Sequence, residues 1–100
     1  LNVNNFDQYI NTDKPVVVEF YTTACSHCKK LAGALNKLSE EKGDDVFFGK
    51  CNIDQEALLQ SRFDISAVPT LLFIKNGEIK NRLVGEVHPL IIQEEIKKLA

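Results

Sequence analysis

No stretch of this sequence is apolar for long. The longest uninterrupted runs, Val16-Val17-Val18 and Leu71-Leu72-Phe73-Ile74, fall far short of the roughly 20 residues a membrane-spanning helix needs, so no membrane partner is expected. Neither sign of charge dominates: 12 Lys and Arg against 14 Asp and Glu leave a formal charge of -2, with both signs spread along the chain. That balance argues against nucleic acid as a partner. Glycine and proline are scarce, at five and three, and no linker, repeat or low-complexity segment is present. Three cysteines are too few, and odd in number, for the disulfide framework that staples small secreted folds. Their use is therefore expected to be chemical. No basic segment followed by an apolar run opens the chain, so no secretory signal is expected in it. A cytoplasmic protein is the expectation, with the secretory-pathway lumen or the periplasm as the alternative if a signal preceded Leu1.

What is present is an ordinary globular composition, 44% hydrophobic and 26% charged over 100 residues. That length suits one domain spanning residues 1–100, since folded domains usually run to about 100–200 residues. Asn4 or Asn5 can cap a short helix through Ile10, and Leu1 to Val3 reads as a short first strand. Val16 to Tyr21 is mostly β-branched or aromatic with little alternation, which suits a central strand buried on both faces. From Ser26 to about Glu41 the spacing becomes helical, with Leu31, Leu35 and Leu38 on one stripe, and Lys42-Gly43-Asp44-Asp45 ends it. Val46 to Ile53 is a further strand, and Gln55 to Phe63 a short helix carrying Leu58, Leu59 and Phe63. Thr70 to Lys75 and Glu78 to Val84 flank Asn76-Gly77, the pair that signals a tight hairpin because both central positions want positive φ. His88 and Pro89 open a last helix with Ile92, Ile96 and Leu99 as its apolar stripe. Strands separated by helices pair in parallel and the hairpin adds an antiparallel edge. The expected fold is α/β, a mixed central sheet with helices on both faces.

Cys25-Ser26-His27-Cys28 sits where the buried strand hands over to the long helix. Two cysteines three apart at a helix start can come close enough for a disulfide. The first lies at the helix N-terminus, where unpaired N–H groups and the dipole stabilise a thiolate, so Cys25 is the expected nucleophile. Cys28, one turn in and shielded, is the resolving thiol that would attack the mixed disulfide. The same spacing is also half of a structural zinc cage, but the only other thiol and imidazole groups, Cys51, His27 and His88, form no second closely spaced pair. An iron–sulfur cluster would want four thiolates. No metal and no bound cofactor is expected. Glu19 is out of place in an apolar strand, where a carboxylate is costly unless protonated, paired or wet, and so is a candidate proton acceptor. His27 as an imidazolium would favour the Cys25 thiolate and make the disulfide a stronger oxidant. In a two-electron couple about 1.4 kcal/mol corresponds to about 30 mV. Cys51 is read as a core residue.

Further motifs extend this pattern along nearly the whole chain. Val18-Glu19-Phe20-Tyr21, Cys25 and His27-Cys28-Lys29-Lys30-Leu31-Ala32 are similar to the active-site region of protein disulfide isomerase catalytic domains. Lys50-Cys51-Asn52-Ile53-Asp54, Val68-Pro69-Thr70 and Lys75-Asn76-Gly77-Glu78 are closer to thioredoxins. The sequence thus resembles the thioredoxin superfamily. That resemblance implies the thioredoxin fold and a thiol–disulfide oxidoreductase acting on protein disulfides, with a protein or small-thiol redox donor or acceptor as partner. It implies that Glu19 is the family's buried acid and that Lys50 assists it. It also implies that Pro69 is in cis facing the cysteine pair, with Val68 and Gly85 beside it in the substrate-binding ledge. A monomeric reductase is the leading reading, with a more oxidising couple than usual because of His27. An oxidase or isomerase of the protein disulfide isomerase type is one alternative, and a non-catalytic peptide-binding module of the same fold is another. Two positions depart from the family pattern. Ala24 replaces the aromatic residue usual before the first cysteine, and Gly33 stands where a helix-kinking proline is common, leaving the helix straighter or softer.

Overall fold

The computed structural model describes residues 1–99. Its elements in chain order are α1 (Phe6–Ile10), β1 (Val16–Tyr21), α2 (Ser26–Lys42), β2 (Phe47–Asn52), α3 (Ala57–Arg62), β3 (Thr70–Lys75), β4 (Glu78–Val84) and α4 (Pro89–Leu99). The four strands lie in the order β2-β1-β3-β4. β1 runs parallel to β2 and antiparallel to β3, which is antiparallel to β4. The unalternating apolar sequence of β1 is explained by that position, since a strand with neighbours on both sides and helices over both faces is buried along its length, here from Val16 to Phe20 with Tyr21 half-buried at its end.

Period-two alternation divides the core. Val16, Val18 and Phe20 point to the face covered by α1 and α3, where they meet Phe6, Ile10, Leu59 and Phe63. Val17 points to the opposite face, where Leu31, Leu35 and Leu38 of α2 and Ile92, Ile96 and Leu99 of α4 cover Leu71 and Phe73. The helices thus cover both sides of the sheet, as expected. Glu19 shares the parity of Val17 and faces α2, which places it beneath the helix carrying the cysteines.

The Asn76-Gly77 turn has positive φ at both residues, 54° and 79°, as a two-residue hairpin requires. A register shift follows between Phe73 and Ile74. Cys51 is fully buried in the core beside Phe20 and Leu59, the place expected for it. At the entry to α4, His88 Nδ1 accepts the Leu90 N–H at 3.1 Å.

Three local expectations are corrected. Leu1 to Val3 is not a strand: Leu1 N donates to the Lys50 carbonyl at 2.7 Å, and the chain then turns at once. Asn4 makes no cap, and Asn5, although at the N-cap position of α1, makes no side-chain cap bond. Instead Asn2 Oδ1 accepts the N–H groups of Asn4 and Asn5 at 2.9 and 3.1 Å, an Asx turn that substitutes for the cap. The short helix expected over Gln55 to Phe63 is shorter at both ends. α3 runs only over Ala57–Arg62, and of its two adjacent leucines Leu58 is 70% exposed while Leu59 is buried.

Candidate active site

β1 ends at Tyr21, and a four-residue turn carries the chain to Ser26, the first residue of α2. Cys25 is the N-cap: its backbone is extended, and its Sγ accepts the Cys28 N–H at 3.2 Å. A thiol sulfur therefore does what a serine or aspartate oxygen does at other helix starts, receiving one of the orphan N–H groups of the first turn. The same bond brings the two cysteines of the pair together. Cys25 is partly exposed and Cys28 buried, and both are free thiols. Burial pushes the Cys28 thiol up to about 12, reinforced by its hydrogen bond with Cys25 and opposed by one to the Thr22 backbone.

Glu19 is 1% exposed. It lines a cavity of about 320 Å³ with Cys28, Lys50, Thr22, Thr23 and Asn52. Its Oε2 has no hydrogen-bond partner. Burial raises its carboxyl to about 7, against the pull of Lys50, which sits opposite Glu19 in the parallel register of β1 and β2. A carboxyl that titrates near neutrality and acts electrostatically on Cys28 is equipped to exchange a proton with that thiol. Thr23 and Asn52, joined by an Asn52 Nδ2 to Thr23 Oγ1 hydrogen bond of 3.2 Å, form part of the cavity wall. Neither residue was singled out by sequence reasoning, because neither carries a titratable group.

The residues expected to bind substrate lie toward the far end of the chain. The Val68–Pro69 peptide is cis, and Gly85, with φ 92°, donates its N–H to the Pro69 carbonyl at 2.8 Å. Val68 is half-buried against the core and Pro69 is buried. His27 Nδ1 lies 2.7 Å from Glu86 Oε1, a pairing the sequence reading did not anticipate. Glu86 follows Gly85 directly, and that adjacency was the only available hint. Among the described residues no group of three or more His, Cys, Asp or Glu side chains could hold a metal ion.

Two thiols of unequal exposure, one capping a helix and the other above a buried acid, are the equipment of a thiol–disulfide oxidoreductase. The thioredoxin family model matches residues 1–98, and the chain belongs to that family. Thioredoxin of Alicyclobacillus acidocaldarius is 37% identical over 81% of this chain and 77% of its own length, and thioredoxin-1 of Saccharomyces cerevisiae 38% identical over 93% and 88%. The crystal structure of Malassezia sympodialis thioredoxin superposes with a TM-score of 0.88 at 33% identity, covering 99% of this chain and 89% of that one. Mitochondrial and chloroplastic thioredoxins are also relatives, and the chain spans 56% and 58% of the length of those from mouse and pea. Members of this family reduce protein disulfides by dithiol exchange.

Proposed function

We propose that this chain is a monomeric, thioredoxin-like reductase of protein disulfides in which Cys25 attacks and Cys28 resolves. The observation that carries the reading is the 3.2 Å bond from Cys28 N to Cys25 Sγ above the cavity that Cys28 shares with Glu19. The Cys25 thiolate attacks one sulfur of the substrate disulfide. A mixed disulfide forms, and the other substrate sulfur leaves as a thiolate that takes a proton from water. Glu19, as carboxylate, accepts the Cys28 proton, with Lys50 supporting its charged form. The Cys28 thiolate then attacks Cys25 Sγ, closing the Cys25–Cys28 disulfide and expelling the second substrate thiolate, to which the proton is returned. Two electrons pass from the chain to the substrate. A protein or small-thiol donor restores the dithiol.

Val68 and Pro69, held from behind by Gly85, form the ledge on which an extended substrate segment pairs through its backbone. Such pairing gives affinity without demanding a sequence, which suits a reductase with several clients. His27 tunes the potential. A reducing compartment such as the cytoplasm fits this direction of electron flow. A second reading, an oxidase or isomerase in an oxidising compartment, is favoured by His27 between the cysteines, and the equilibrium constant against glutathione separates the two.

Insulin reduction by wild type, Cys25→Ser and Cys28→Ser tests the dithiol. Cys25→Ser is expected to abolish turnover, and Cys28→Ser to accumulate a mixed disulfide released only by added thiol. Equal turnover in wild type and Cys25→Ser would refute the reading.

A further inference from the structure

His27 is the second residue of α2 and lies two positions past the capping Cys25. Glu86 approaches it from the loop between β4 and α4, immediately after the glycine whose N–H holds the Pro69 carbonyl. Their 2.7 Å contact joins side chains that are 66% and 42% exposed and 59 residues apart. It therefore ties the turn carrying the nucleophile to the loop behind the proline ledge. The hydrogen bond from His27 holds the Glu86 carboxyl below the usual carboxylate range, with a smaller contribution from Lys30. Lys30 lies one turn further along α2. His88, in the same loop as Glu86, directs its Nδ1 to the Leu90 N–H.

The consequence concerns charge. An imidazolium two positions along the chain from Cys25 favours a thiolate over a thiol there, and stabilising the reduced form makes the disulfide a stronger oxidant. A carboxylate on that imidazolium cancels much of its field at the sulfur. We propose that Glu86 is a positioning residue for the redox couple: it orients the His27 ring and neutralises its charge, holding the dithiol more reducing than Cys25-Ser26-His27-Cys28 alone would be. The inference rests on the Cys25–Cys28 dithiol proposed above. In the reaction that reads it out, glutathione disulfide gains two electrons and two protons from the dithiol, giving two glutathione thiols and the Cys25–Cys28 disulfide.

The experiment is a two-by-two set of wild type, Glu86→Gln, His27→Ala and the double variant, equilibrated with glutathione at about pH 6, where imidazoles carry charge. Glu86→Gln is expected to shift the equilibrium toward the dithiol by about two- to fivefold, the range of exposed charge pairs. That corresponds to about 10–20 mV for two electrons. His27→Ala shifts it by a similar factor toward the disulfide, because it leaves the Glu86 charge uncompensated. The double variant returns close to wild type, and Glu86→Asp keeps most of the wild-type value. Raising the salt from about 0.05 M to about 1 M collapses the differences. A purely structural role would produce neither the opposite signs nor the salt dependence. A Glu86→Gln constant equal to wild type, or moved in the same direction as His27→Ala, overturns the proposal. Failure of wild type itself to equilibrate with glutathione overturns the dithiol reading, and this inference with it.

Discussion

Glu19 has an ordinary carboxyl value of 4.5, which burial lifts to about 7. Between those values the native chain holds a proton that the unfolded chain has released. Unfolding therefore becomes easier as pH rises through this window. Stability associated with the protonated side chain is fully present below 4.5 and lost by about 7, and the shift corresponds to about 3 kcal/mol. Glu19→Gln, which stays neutral, should match wild type near pH 4.5 and exceed it by up to about 3 kcal/mol near pH 8. Urea unfolding across that range checks it, and parallel curves for the two proteins would contradict it. The same substitution removes the proposed base for Cys28, a thiol that burial holds at about 12 and that cannot ionise unaided at neutral pH. Turnover should fall by about 10²-fold or more, the lower bound for a lost general base. Stability gained and activity lost in one substitution is the signature of a group retained for chemistry.

In α2, Gly33 occupies an exposed helical position, and a methyl group added there meets nothing within 4 Å. Gly33→Ala should therefore stabilise the protein by about 0.5–1 kcal/mol through helix propensity. Thermal unfolding measures it, and a lower melting temperature would show that the glycine is needed for a bend. α2 spans 17 residues without a break, so replacing the family's usual proline leaves a continuous helix. Its apolar stripe was legible because Leu31, Leu35 and Leu38 repeat at helical spacing. α3 was less legible: it has only six residues, fewer than two turns, too short a window for periodicity to decide whether Leu58 or Leu59 faces the core. The hairpin between β3 and β4 was fully legible, because Asn76-Gly77 states its own backbone geometry. The cap of α1 was not, since four asparagines and aspartates near one another offer several equivalent turns and only packing selects Asn2.

Across the molecule, β1 supplies side chains to both cores, Val16, Val18 and Phe20 to one and Val17 to the other. The two faces are therefore expected to unfold as one cooperative unit. Leu59→Ala and Ile92→Ala, buried on opposite faces, should each cost about 2–5 kcal/mol and lower the midpoint of a single transition, followed by circular dichroism and by tyrosine fluorescence. Two separable transitions would show that the faces fold independently, against a single domain over residues 1–100. Apart from the strand expected at Leu1 to Val3, the sequence alone determined the order of strands and helices, the placement of the cysteine pair at a strand-to-helix junction and the anomaly of a carboxylate in an apolar strand. Each of these is a property of neighbours within a few residues, where backbone geometry dictates periodicity. Tertiary structure alone decided that β1 lies between β2 and β3, that Glu19 and Cys28 share one cavity, and that His27 meets Glu86. Those contacts join segments distant along the chain, and which segments meet is settled by packing the whole set of apolar faces at once.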